Sequence, residues 1–118
     1  MNIETFRAYC LAKKGVTEEL PFGPTTLVFK TMGKMFALTS LAAENFSINL
    51  KCDPENAEEL REHHSCVVPG YHMNKKHWNT ILVDGSVPDQ KLCEWIDHSY
   101  GLIISALPRK VKQQLDDL

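Results

Sequence analysis

Two short β-type runs, Thr25–Lys30 and Lys34–Leu38, stand three residues apart, and the gap, Thr31-Met32-Gly33, ends in glycine. A three-residue connection closed by Gly is a standard hairpin loop. This feature constrains the chain most, because it fixes one antiparallel strand pair before anything else is decided. Phe46–Lys51 adds a third strand by alternation: Phe46, Ile48 and Leu50 point one way, Ser47, Asn49 and Lys51 the other. One face of that sheet is then wet or open to a ligand. Thr39–Asn45, between the runs, reads as a turn. Cys66-Val67-Val68, stopped by Pro69-Gly70, and His77–Val83, stopped by Asp84-Gly85, bring the expected count to about five strands.

Helices flank these strands. Asn2 caps a first helix over Asn2–Lys14, whose Ile3, Phe6, Cys10 and Leu11 share a face, and Gly15 supplies its left-handed stop. Pro21 and Pro24 then mark an extended connection. Asp53-Pro54 opens a short surface helix to about His64, rich in Glu55, Glu58, Glu59 and Glu62. A third helix is expected from Ser86, with Asp89 completing a capping box. Its Leu92, Ile96, Tyr100, Ile103 and Leu107 recur with the strongest helical periodicity in the chain, and Pro108 ends it. Residues 109–118 read as a loose, charged helical tail outside a single domain over 1–108. Elements segregated in this way give an α+β two-layer sandwich, an antiparallel sheet with the N- and C-terminal helices on one face.

At 118 residues the chain is one domain's worth of protein. Thirteen Lys and Arg against fifteen Asp and Glu give a net charge of −2, which excludes a strongly basic nucleic-acid coat protein but not a local basic patch. No run approaches the ~20 apolar residues of a membrane span, and no leader pattern opens the sequence, so no membrane partner is expected and the cytoplasm is the default location. Cys10, Cys52, Cys66 and Cys93 are too far apart for a redox pair or zinc knuckle, and read as reduced structural thiols.

Chemistry concentrates in Pro69–Thr80, PGYHMNKKHWNT. Between Val67 and Val83 there is no acid, against two lysines and two histidines. Lys75 and Lys76 can neutralise phosphate, His72, Asn74 and His77 can donate hydrogen bonds, and Tyr71 and Trp78 offer stacking planes. Lys30, Lys34 and Lys51 would gather at a nearby rim if the strands pair as expected. The bland alternative is a turn with Trp78 in the core and the lysines merely solvated. His63, His64, Cys66, His72 and His77 fall within fifteen residues but in no compact ligand spacing, so no metal or other cofactor is expected. Cys66 beside His63, His64 or His72 is the only conceivable nucleophile–base set and nothing orients it, so no catalytic residues are assigned and no enzyme is expected.

The segments Phe22–Leu38 (FGPTTLVFKTMGKMFAL), Ile48–Pro54 (INLKCDP), Pro69–Thr80 and Ile96–Tyr100 (IDHSY) closely resemble the MmcQ/YjbR family, in the same order and over about Phe6 to Lys110. The resemblance implies a CyaY-like α+β fold and a DNA-binding role through a two-winged β surface. The wings would be the Thr25–Leu38 hairpin and the segment around Tyr71–Trp78. Lys30, Lys34, Lys51, His72, Asn74, Lys75, Lys76 and His77 would be the candidate contacts, with Tyr71 and Trp78 as the rings beside them. It implies no catalytic residues. Frataxin shares the fold name, but the first helix here carries only Glu4 as an acid, so iron handling does not carry over. The leading expectation is therefore a DNA-binding module using a basic, aromatic sheet rim. Its alternative is a protein- or small-anionic-ligand-binding module with a pocket walled by Tyr71, His72 and Trp78; an oligomeric scaffold is a third.

Overall fold

The computed structural model describes residues 1–70 and 73–118. Four helices and six strands alternate as α1 (Ile3–Leu11), β1 (Val16–Glu19), β2 (Thr26–Thr31), β3 (Lys34–Ser40), β4 (Ser47–Lys51), α2 (Pro54–His63), β5 (Val67–Pro69), β6 (Trp78–Leu82), α3 (Asp89–Ala106) and α4 (Arg109–Asp116). The strands form one fully antiparallel sheet in the order β1-β2-β3-β4-β6-β5. The expected α+β sandwich is present, with six strands rather than about five. The additional strand, β1, falls directly after Gly15, where the sequence shows only one apolar residue in four. It is a strand because it pairs with β2, Val16 opposite Thr31 and Glu19 opposite Val28.

The β2–β3 hairpin turns through Met32 (φ 50°) and Gly33 (φ 81°), two successive left-handed residues that match the twist of the flanking strands. Further along, the register slips: Phe29 faces Ala37 but Lys30 faces Met35, which leaves Phe36 as an inserted residue. This bulge sends both Phe36 and Ala37 into the core under the helices. Phe6, Cys10, Phe29, Ile48, Leu50, Ile81, Leu92 and Ile96 complete that core. Phe6 meets Phe29 edge-on at 5.5 Å and Phe36 meets Tyr100 at 5.3 Å, favourable geometries for aromatic pairs. Ser99, fully buried in α3, donates to the Phe36 carbonyl at 2.5 Å and accepts from the Lys51 amide at 2.9 Å.

Three local expectations are corrected. Helix α3 begins at Asp89 behind Pro88, without a capping box, because the Ser86 hydroxyl donates to Asp84 at 2.6 Å instead. Thr39 and Ser40 continue β3 rather than turn, since they pair with Leu27 and Thr26. Residues 109–116 form a docked helix: Leu115 is 3% exposed and closes over Gly15, where a Cβ would lie 2.5 Å from its Cδ1.

Surface ion pairs set the acid response. Arg7 donates twice to Glu18, tying α1 to β1, and this holds the Glu18 carboxyl below its usual 4.5. Hydrogen bonds from Thr17 and then Lys30 lower Glu19, and those from Ser86 lower Asp84. A carboxyl depressed by folding stabilises the fold above its unfolded pKa and loses that contribution as pH falls through the folded value. The melting temperature should therefore hold level down to about pH 5 and decline below it. Glu18→Gln should melt below the parent protein at neutral pH and converge with it near about pH 3, as read by circular dichroism at both pH values.

Candidate functional site in the open sheet face

All four helices lie on one side of the sheet or at its edge. Antiparallel partners point the same way, so the register defines what the other side carries. One row crosses all six strands: Glu19, Val28, Leu38, Asn49, Thr80 and Val68. Nearer the β2–β3 hairpin the same face carries two further cross-strand pairs, Lys30 with Met35 on β2 and β3 and Lys51 with Trp78 on β4 and β6. This face is not simply wet. Val28, Leu38 and Trp78 form a second buried cluster there, flanked by Met35 and Met73.

Above that cluster lies a groove of about 800 Å³. Val28, Leu38 and Trp78 pack together beneath it, and Trp78 is 7% exposed. Phe22, from the β1–β2 connection, forms one lip and is 65% exposed. Ala43 lines the same end, Met73 and Asn74 the other, and Thr26, Ser40 and Asn49 supply hydroxyl and amide groups. Among the described residues no ionisable side chain lines the groove. Asn49 accepts from the Thr80 hydroxyl at 2.5 Å, which leaves its amide nitrogen for other partners.

A buried polar clamp holds the Trp78 end in place. Asn79, 1% exposed on the helix side, donates to the Ala57 carbonyl at 3.3 Å and accepts from Arg61 Nε at 2.7 Å. The other arm of Arg61 donates to the Lys75 carbonyl and reaches that of Trp78 at 3.5 Å. Asn74 accepts backbone bonds from His77 and Trp78, and its side chain accepts from the Lys76 amide at 3.0 Å. Gly70 packs against Trp78, whose Cβ would lie 3.0 Å from any Cβ added there. Helix α2 thus forms because Asp53 and Pro54 start it, and its Arg61 then fixes the segment leading into β6.

The candidate residues from the sequence distribute unevenly over this frame. Tyr71 and His72 lie outside the described residues. Lys30 and Lys51 share the open face in those two pairs, and Lys34 is exposed at the neighbouring hairpin. Lys30 reaches Glu19 at 3.3 Å. Lys75 and Lys76 are exposed, but Lys76 shares a shallow hollow with Glu55, Glu58 and Arg61, so acids of α2 intrude on the expected positive strip. His77 is half-buried and its carbonyl accepts from Cys52. Trp78 is not an exposed stacking plane: its apolar ring is packed against Val28 and Leu38 and forms the groove's base. Of the described polar candidates, Asn74 lines the groove and the lysines and His77 do not.

Phe22, Val28, Met35, Leu38, Asn49, Arg61 and Met73 were not singled out from the sequence. A signal existed for some of them. Leu27-Val28-Phe29 and Met35–Leu38 are continuous apolar runs, the pattern of strands buried on both faces. The thiols stand apart from the groove. Cys10, Cys52 and Cys66 are buried and Cys93 half-buried, all reduced. Burial pushes the Cys10 thiol up to about 12 and the Cys52 thiol up to about 11. Among the described residues no three His, Cys, Asp or Glu side chains converge as a metal site. His64 packs edge-on against Trp95 at 5.1 Å, and His98 Nε2 faces the Asp53 amide. No helix is long and apolar enough to cross a membrane.

A sheet layered with helices on one side and grooved on the other defines the class: a small α+β domain with one open sheet face. The YjbR family model matches residues 11–102, and the chain belongs to the YjbR family. It is 34% identical to the uncharacterized protein YjbR of Escherichia coli K12 over the whole of both chains. With YbdF of Escherichia coli O157:H7 it shares 35% identity over 80% of this chain and 78% of that one. Deinococcus radiodurans DR2400, a solved structure described by the domain DUF419, superposes with a TM-score of 0.92 at 36% identity, covering 98% of this chain and 88% of its own. A Pseudomonas syringae protein follows at 0.75 and 28%, covering 86% and 98%.

Proposed function

We propose that this protein is a binding module that takes a small, largely apolar ligand into the open-face groove. One observation carries the reading: a concavity of about 800 Å³ on the helix-free face, apolar at its base and edged by a few amides and hydroxyls. Ligand sites are typically concave, apolar pockets of roughly 300–1,000 Å³ with a small number of polar groups that set orientation. Two methionines in the wall suit an adaptable apolar surface.

DNA held at the same end of the sheet is the second reading. It draws on Lys34, Lys51, Lys75 and Lys76. It is less well supported, because Trp78 lies at the groove's base and Lys30 and Lys76 stand beside carboxylates.

Titration with decanol, followed by amide chemical shifts, tests the groove. Shifts should cluster on Val28, Leu38, Asn49 and the Trp78 indole, and Ser40→Phe, which fills the far end from an exposed position, should weaken binding about tenfold or more. Shifts spread over the helix layer, or none at all, would refute it. Retention of a labelled duplex at low salt, with loss in Lys75→Ala/Lys76→Ala, would favour the DNA reading instead.

A further inference from the structure

The groove is electrically asymmetric along its length. Its far end, at the β1–β2 and β3–β4 connections, is lined by Phe22, Thr26, Ser40 and Ala43, all neutral. Its near end abuts the pairs Lys30 with Met35 and Lys51 with Trp78. Lys51 pairs with Trp78 across β4 and β6, so the two side chains rise from the same face as neighbours. It is half-buried and makes no salt bridge with any described residue. Lys30 is paired with Met35 and stands on β2, two strands over from β4 in the sheet order. Lys30 is partly screened by Glu19 at 3.3 Å, so Lys51 is the less neutralised of the two. From Ser40 to Met35 the face extends roughly 15 Å along β3, the length of an extended apolar chain rather than of a compact ring.

Resting on the groove reading above, we propose that the ligand is an amphipathic anion: an apolar body lying along the strands with a single carboxylate-type head at the Lys51 end. A negative head placed there meets a cation with no salt bridge to a described residue, while its tail runs along the neutral lining toward Phe22. The orientation follows from the same asymmetry. A reversed ligand would set its charge among Phe22, Ala43 and the hydroxyls, where nothing neutralises it, and a desolvated charge without a partner is costly. A cationic head at the near end would be repelled by both lysines.

Decanoate, decanol and decyltrimethylammonium share one tail and differ only in the head, so their affinities separate the two claims. Each is titrated into the full chain while the Trp78 indole N–H is followed by NMR, assigned with Trp95→Phe. The expected order is decanoate tightest by about tenfold over decanol, with the ammonium weakest. Lys51→Gln should bring decanoate to within about twofold of decanol and leave decanol unchanged; Lys30→Gln should have the smaller effect. Equal affinity for decanoate and decanol, a preference for the cation, or a decanoate advantage that survives both substitutions overturns the anionic head. Silence of the Trp78 signal with all three probes overturns the groove itself.

Discussion

Phe36→Ala should cost the fold about 3–5 kcal/mol, the usual range for removing a fully buried aromatic ring. Phe36 is inserted by the β2–β3 bulge and is completely buried. Its ring packs edge-on against Tyr100, and its carbonyl receives the buried Ser99 hydroxyl. Truncation opens a cavity where sheet and α3 meet, and the bulge prevents easy collapse because Ala37 beside it already faces the same core. For a domain whose total stability is on the order of 5–15 kcal/mol, this is a large fraction, and the melting temperature should drop by about 15 °C. Phe36→Leu keeps most of the volume and should lose less than half as much. Thermal melts of the two variants check the difference; equal losses would mean that the ring's edge-on contact contributes nothing beyond its bulk.

Trp78→Ala should have the second large effect, and it acts on stability and binding together. Removing this side chain takes away the largest member of the small cluster with Val28 and Leu38, again about 3–5 kcal/mol. It also removes the ring that forms the base of the groove, while the Cβ and backbone against which Gly70 packs remain. A milder Trp78→Phe should retain the fold, losing about 1–2 kcal/mol by partial cavity formation, while weakening decanol binding severalfold. Chemical denaturation gives the first quantity and the probe titration the second. A Trp78→Phe protein that binds decanol with undiminished affinity would mean the ring is structural only.

These two residues also show what the sequence made legible. The hairpin, the α3 periodicity and the alternation in Ile48–Asn49–Leu50 are local patterns, so the sandwich followed from them. Strand β1 was hidden because four residues with one apolar side chain carry no period, and only pairing to β2 identifies them. The bulge at Phe29/Lys30 was hidden for a related reason: a slipped register depends on the partner strand, not on the strand's own sequence. For the candidate site, PGYHMNKKHWNT pointed to the end of the sheet where Trp78 lies but suggested an exposed aromatic ridge, whereas Trp78 is 7% exposed. Burial of Trp78 depends on Val28 and Leu38, which lie 50 and 40 positions earlier. Segment-by-segment charge counting could not foresee that Glu55 and Glu58 of α2 would stand beside Lys76. The groove's described lining comes from four separate stretches of chain, residues 22–26, 35–43, 49 and 73–78, each unremarkable alone.

The free face of the sheet as a ligand cavity is best probed by mapping where a simple apolar molecule settles on the intact protein. With saturating decanol, the account predicts perturbed amides confined to β2, β3, β4 and β6 around Val28, Leu38, Asn49 and Trp78, with Leu92, Ile96 and Ile103 of α3 unmoved. Perturbation centred on the α3 side, or an unchanged spectrum, would contradict it.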